Sequence, residues 1–111
     1  MGEASDTGLK AVDVFLGGAC GATTWRKDIA IPYLRARGIS FWNPQVDDWH
    51  PGLIVEENFH KETSRILLFI VDGSTRGVAS MIETAEFLAR GRKVVLVRGI
   101  RVMMPCLRKH Q

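Results

Sequence analysis

Cysteine is scarce in this 111-residue chain, with Cys20 and Cys106 the only two. A single pair cannot serve as a disulfide framework, so the chain suits a reducing compartment and must hold itself together by an apolar core. No apolar run approaches the ~20 residues of a membrane-spanning helix. The opening MGEASDTGLKA has no apolar stretch of the signal-peptide kind. A cytoplasmic location with no membrane partner is therefore expected. Charge of one sign is also in short supply: 15 Lys and Arg against 12 Asp and Glu leave +3. Arg98, Arg101, Arg108 and Lys109 cluster at the end without interleaved aromatic residues. That pattern is a solvated surface rather than a nucleic-acid footprint, and no specific nucleic acid is expected as a partner. His50 and His60 have no second ligand at metal-site spacing, so no metal is expected. Neither GxxxxGK[ST] nor GxGxxG occurs, which removes the two standard nucleotide fingerprints.

What is present alternates between two periodicities. The run ILLFIV over residues 66–71 is unbroken apolar sequence, the pattern of a parallel-sheet strand covered on both faces. Asp72-Gly73-Ser74-Thr75-Arg76-Gly77 carries turn chemistry. From Val78, apolar residues recur at Met81, Ile82, Ala85, Leu88 and Ala89, a helical stripe that predicts the core-facing side. Gly91 ends that helix and residues 93–97 resume strand character. Strand, crossover helix and strand make a right-handed βαβ unit. Upstream, residues 12–16 read as a first strand, 24–37 as a helix that Pro32 bends or splits, 39–42 as a second strand and 53–63 as another helix. The expected fold class is α/β, a flavodoxin-like three-layer sandwich with a parallel sheet of four or five strands in the order 2-1-3-4. Residues 1–11 form a polar leader, 12–97 the domain, and 98–111 a basic tail.

That strand order sets the loop after the first strand beside the loop after the third, across one crevice where open α/β sheets bind ligands. Gly17, Gly18, Ala19 and Gly21 give a small-residue turn, readable either as a tight strand-to-helix connection or as a ligand loop approached closely by an anion. Arg26 is placed to add a positive charge, and Thr23 or Thr24 to cap the following helix. Asn43, Trp42 and Trp49 border the same edge of the sheet, where an indole either stacks on a base or closes the core. Cys20 sits near a helix N-terminus, a setting that can lower a thiol pKa. Glu83 has two readings. Ser80-Met81-Ile82-Glu83 fits S-x-x-E, a helix capping box. Early in its helix, Glu83 is also the carboxylate best placed to look into a pocket.

The segments VFLGGACGATTWR, FWNPQVDDWHP and ILLFIVDGSTRGVASMIETAEFLARGRKVVLV together resemble the nucleoside 2-deoxyribosyltransferase superfamily, in particular its small transferase-like branch. The resemblance covers residues 12–97, and its most specific part is the run from Glu83 to Gly91, ETAEFLARG. It implies a flavodoxin-like protein that cleaves the N-glycosidic bond of a deoxynucleoside or its monophosphate. It also implies a helix glutamate that attacks the anomeric carbon, and passage of the sugar to another base or to water. Glu83 falls on that nucleophile, and Gly17 and Gly18 on the loop lining the sugar or phosphate. Two positions depart from the pattern: Gly77 stands where the transferases have an aspartate, and Phe15 where they have a tyrosine. Asp72, Glu56, Glu57 and Asp47 are the acids that could protonate the leaving base instead.

The sequence thus points to a nucleoside or nucleotide as partner, no cofactor, Glu83 and Asp72 as catalytic residues, and Gly17, Gly18, Ala19, Gly21, Thr23, Asn43, Trp49, Ser74 and Ser80 as substrate contacts. Two alternatives stand beside it. One is a non-catalytic nucleotide- or protein-binding module that keeps the fold, and the other is a glycohydrolase of another N-glycoside such as a nicotinamide dinucleotide. A homodimer is expected, since relatives complete their sites from a neighbouring subunit, with Phe87 as a contact.

Overall fold

A computed structural model of the chain describes residues 9–20, 22–71 and 78–98, without the side chains of Val78 and Arg98. Strand β1 (Val14–Gly18) leads into helix α1, a π-helical turn (Arg26–Ala30) that runs on into an α-helical stretch (Ile31–Ala36). Strand β2 (Phe41–Trp42), helix α2 (Gly52–Thr63), strand β3 (Ile66–Val71), helix α3 (Val78–Ala89) and strand β4 (Val94–Arg98) follow. All strand pairs are parallel and the sheet order is β2-β1-β3-β4. This is the α/β, flavodoxin-like arrangement that the alternating pattern predicts. Among the described residues no helix is long and apolar enough to cross a membrane.

The sheet buries two cores, one on each face. Val14, Leu16 and Ile70 pack against Trp25 and Leu34 of the α1 side. Phe15, Leu67 and Phe69 pack on the other face against Phe87 of α3. α2 lies on this second face as well, where buried His60 stacks on Trp42, with ring centroids 5.0 Å apart, and Trp42 stacks on Phe15. Trp42 is thus a core residue, as one of its two readings has it. Pro32 lies in the first turn of the second of the two short pieces that make up α1, as the sequence leads one to expect. It lacks the N–H an α-helix would need there, and the chain answers with a π turn in which Ile31 N–H donates to Arg26 O.

The roll of α3 is opposite to the sequence expectation. Its buried residues are Ser80, Thr84 and Phe87, at 6, 5 and 4 % exposure, whereas Met81, Ile82 and Leu88 stand at 42, 64 and 55 %. The physical reason lies in what flanks the helix. Glu83 pairs with Lys61 and Arg90 with Glu62, so two ion pairs tie one side of α3 to α2. Phe87 then turns onto Phe69, ring centroids 6.3 Å apart, and the small hydroxyl residues Ser80 and Thr84 occupy the sheet-facing side. Burying Phe87 contributes about 2–3 kcal/mol, on the scale of a large apolar side chain. Phe87 is accordingly a core residue and not a surface contact.

Candidate functional site

The loop after β1 is built around Arg26, a fully buried arginine at 0 % exposure. Its Nε donates to Leu16 O at 3.0 Å, Nη2 to Gly18 O at 2.9 Å, and Nη1 to Ala19 O at 3.2 Å and Gln45 Oε1 at 3.3 Å. The guanidinium also lies over the Trp25 ring, 4.6 Å from its centroid. Burial lowers its pKa, yet a guanidinium stays charged at any ordinary pH. Gln45 completes the clamp by donating from Nε2 to Cys20 O and Thr23 O, and its own N–H meets Asn43 Oδ1. Arg26 therefore does not offer its charge directly to a ligand, as the sequence suggested. It spends its donors on the loop.

The glycines of that loop answer a packing need inside the sheet. A Cβ on Gly17 would lie 2.5 Å from the Phe69 ring, and Gly18, at φ +113°, would place one 2.5 Å from Ile70 O. Gly17 is buried within β1, opposite Phe69 in the parallel ladder, so its small size serves the core rather than a ligand. Burial pushes the Cys20 thiol up from its ordinary value, which removes the expectation of an activated thiolate there.

Glu83 does not form a capping box. α3 begins at Val78, so Ser80 lies inside the first turn, and the Glu83 carboxylate reaches across to α2 instead. Lys61 Nζ donates to Glu83 Oε2 at 2.5 Å and pairs with Glu57 Oε2 at 3.2 Å. One ammonium thus holds two carboxylates together. Its side chain is 17 % exposed, against 33 % for Glu83 and 39 % for Glu57. Burial pulls the Lys61 pKa down, but the hydrogen bonds and charges of Glu83 and Glu57 outweigh it and leave the group above its ordinary value.

Glu57 faces a cleft of about 430 Å³ that it shares with Cys20, Pro44, Gln45, Val46 and Trp49. This cleft runs from Cys20 after β1 to Glu57, and Glu83 is not among the residues that line it. Trp49, at 63 % exposure, presents an open indole to it. Thr23 and Asn43 belong to a different cleft, of about 600 Å³, on the far side of Gln45 beside Lys27 and Arg35. Asp47 is also on that far side. Ser80 is buried at 6 % exposure. Asp72, Ser74 and Gly21 lie outside the described residues, as does Gly77. Among the described residues no group of three or more His, Cys, Asp or Glu could hold a metal ion.

Residues 11–99 match the family described as nucleoside 2-deoxyribosyltransferase like. The chain belongs to this family. No curated protein matches it. Within this nucleoside 2-deoxyribosyltransferase-like chain, Phe15, which stands where the family pattern has a tyrosine, is 1 % exposed and stacks on Trp42 at 5.8 Å. The Glu83 carboxylate is held by Lys61. Sequence reasoning missed Lys61 and Gln45. Lys61 lies one turn after Glu57 on the same helix, an i, i+4 pair that was visible, but its span to Glu83 crosses 22 residues and only the fold reveals it.

Proposed function

We propose that this chain binds a nucleoside or nucleotide and cleaves or transfers at its N-glycosidic bond, with Glu83 as nucleophile and Glu57 as the second carboxylate. The observation that carries this reading is the Lys61 bridge, which ties Glu83 to Glu57, and Glu57 lines an open cleft. Family membership supports the same chemistry class. Breaking the bond builds oxocarbenium character at the sugar carbon, and a carboxylate oxygen stabilises that cation and bonds to it. In the proposed step the Glu83 oxygen bonds to the anomeric carbon as the carbon–nitrogen bond breaks. The base leaves with a proton from Glu57, which takes that proton in turn from the Lys61 ammonium. Water or a second base then displaces the sugar from Glu83 and returns a proton to Glu57 and so to Lys61. The reaction needs no cofactor. Trp49 stacks on the base in this scheme.

The test is release of free base from a panel of nucleosides and their monophosphates, followed by chromatography. Release that survives in Glu83→Gln moves the nucleophile elsewhere. Absence of release from every substrate favours the binding-module reading, which the open apolar side of α3 also supports.

That apolar side is also where the proposed homodimer forms. Met81 and Ile82 directly precede Glu83 in sequence, so a second copy seated on them extends the walls of a cleft that a short chain leaves open. The free thiol of Cys20 suits the cytoplasmic setting proposed for the assembly. Sedimentation equilibrium across a hundredfold concentration range should show dimer mass, with Ile82→Glu shifting it to monomer. A monomer at every concentration contradicts the assembly.

A further inference from the structure

A parallel sheet is normally covered on both faces, and this one is covered unequally. α2 and α3 share the second face, whereas α1 is the one helix on the first among the described residues. α1 connects β1 to β2 and leaves the β3–β4 half of its face open. In the ladder Leu68 stands opposite Val95 and Ile70 opposite Val97, so all four side chains share that face. Leu68, Ile70 and Val97 form one wall of a groove of about 310 Å³, and Ile29 and Tyr33 of α1 form the other. Among the described residues no charged side chain lines it. Ile29, Tyr33 and Val95 are each about half exposed, which makes an apolar patch where the sheet needs cover.

The chain itself supplies an occupant at the end of this groove. Val97 lines it, and β4 ends one residue later at Arg98. Residues 99–107 read GIRVMMPCL, in which Ile100, Val102, Met103, Met104 and Leu107 are apolar. Even at the shortest common rise, about 1.5 Å per residue, that segment spans about 13 Å, the length of about four residues of β4. Tethered where the groove ends, it meets the patch at an effective concentration on the order of millimolar, which a separate partner has to match by affinity alone. Methionine, unbranched and flexible, suits an irregular apolar gap. We propose that residues 99–107 turn back over the β3–β4 face and fill this groove, so that the chain covers its own sheet. The basic side chains Arg101, Arg108 and Lys109 stay in water. The inference goes beyond the nucleotide-binding reading and stands whether or not base is released.

The experiment records nuclear Overhauser contacts in the full chain labelled at its methionine methyl groups, with Met103→Leu and Met104→Leu assigning the two signals. At least one of these methyls should contact Tyr33, Ile29 or Val95. A sample mixed from labelled and unlabelled chains separates contacts within one chain from contacts between two. Thermal melts supply the second readout. Ile29→Glu places a carboxylate in the filled groove and should lower Tm by about 4 °C or more, where an exposed position would barely respond. In a full chain that already carries Met103→Glu and Met104→Glu the same change should cost less than half as much, because the segment has left the groove. Should that doubly substituted chain not fold, the wild-type contacts and the single Ile29→Glu melt decide. Methyls without contact to the groove, contacts found between copies alone, or an Ile29→Glu shift under about 1 °C each overturns the proposal. Contacts between copies would make a second chain the occupant, and an empty groove would leave it to a different partner.

Discussion

Replacing Lys61 by methionine keeps most of the stem that α2 and α3 pack around and removes the cation between Glu57 and Glu83. The Glu83 contact is a charge-assisted hydrogen bond to a largely buried ammonium, worth about 1.5–2 kcal/mol. The Glu57 contact involves a carboxylate more than a third exposed, and solvent screening reduces it to about 0.5 kcal/mol. The expected loss at neutral pH is therefore about 2 kcal/mol, or about 8 °C in Tm for a domain of this size. The pH dependence follows from the direction of the Lys61 shift. Its pKa is raised in the folded chain, so its contribution is fully present below the unfolded value near about 10.4 and is lost as pH rises through the folded value. In acid the carboxylates take up protons, the bridge loses its partners, and wild type and variant converge. Thermal melts of both proteins at pH 7.5 and 3.5 read this directly. A gap under about 2 °C at pH 7.5, or one that persists undiminished in acid, refutes the reasoning.

Phe87→Ala should cost about 3–4 kcal/mol in chemical denaturation because it empties a core position, whereas Leu88→Ala, at 55 % exposure, should stay within about 0.5 kcal/mol. His60 is buried against Trp42 with no partner for Nδ1 among the described residues, and burial lowers its pKa against an opposing pull from Glu56. Its contribution to stability is present above the unfolded value of about 6.5 and lost as pH falls through the folded one. Wild-type Tm should therefore drop between pH 7.5 and 5, and His60→Phe should flatten that drop; an equal slope in both proteins counts against it.

The parts of the fold that the sequence makes legible are those where one periodicity has no competitor. The run from Ile66 to Val71 is apolar throughout, so strand and bounds coincide with β3, and right-handed crossovers leave few alternatives to the observed strand order. α3 shows the opposite case. Its apolar stripe and its buried face are different, because a partner helix supplies Lys61 and Glu62 and these fix the roll. Composition does not encode which of two faces a neighbour will hold. Arg26 was similarly hidden, since an arginine is expected at the surface unless its carbonyl partners are known. Glu83 stood out in both, but its partner did not: S-x-x-E suggested a local cap, while the carboxylate instead binds a residue on another helix.

The central claim is that Glu83 and Glu57 form one catalytic pair, and base release by wild type, Glu83→Gln and Glu57→Gln tests it most directly. Glutamine keeps the shape and a weaker contact to Lys61, so each variant should remain folded, with at most about 2 kcal/mol lost. A neutral amide oxygen neither attacks the anomeric carbon efficiently nor stabilises the oxocarbenium ion. Glu83→Gln should therefore lower turnover by about three decades or more. Glu57→Gln should lower it by about two decades or more, with a smaller loss on substrates whose base leaves readily without a proton. Full turnover in folded Glu83→Gln, on a substrate the wild type cleaves, would contradict the account.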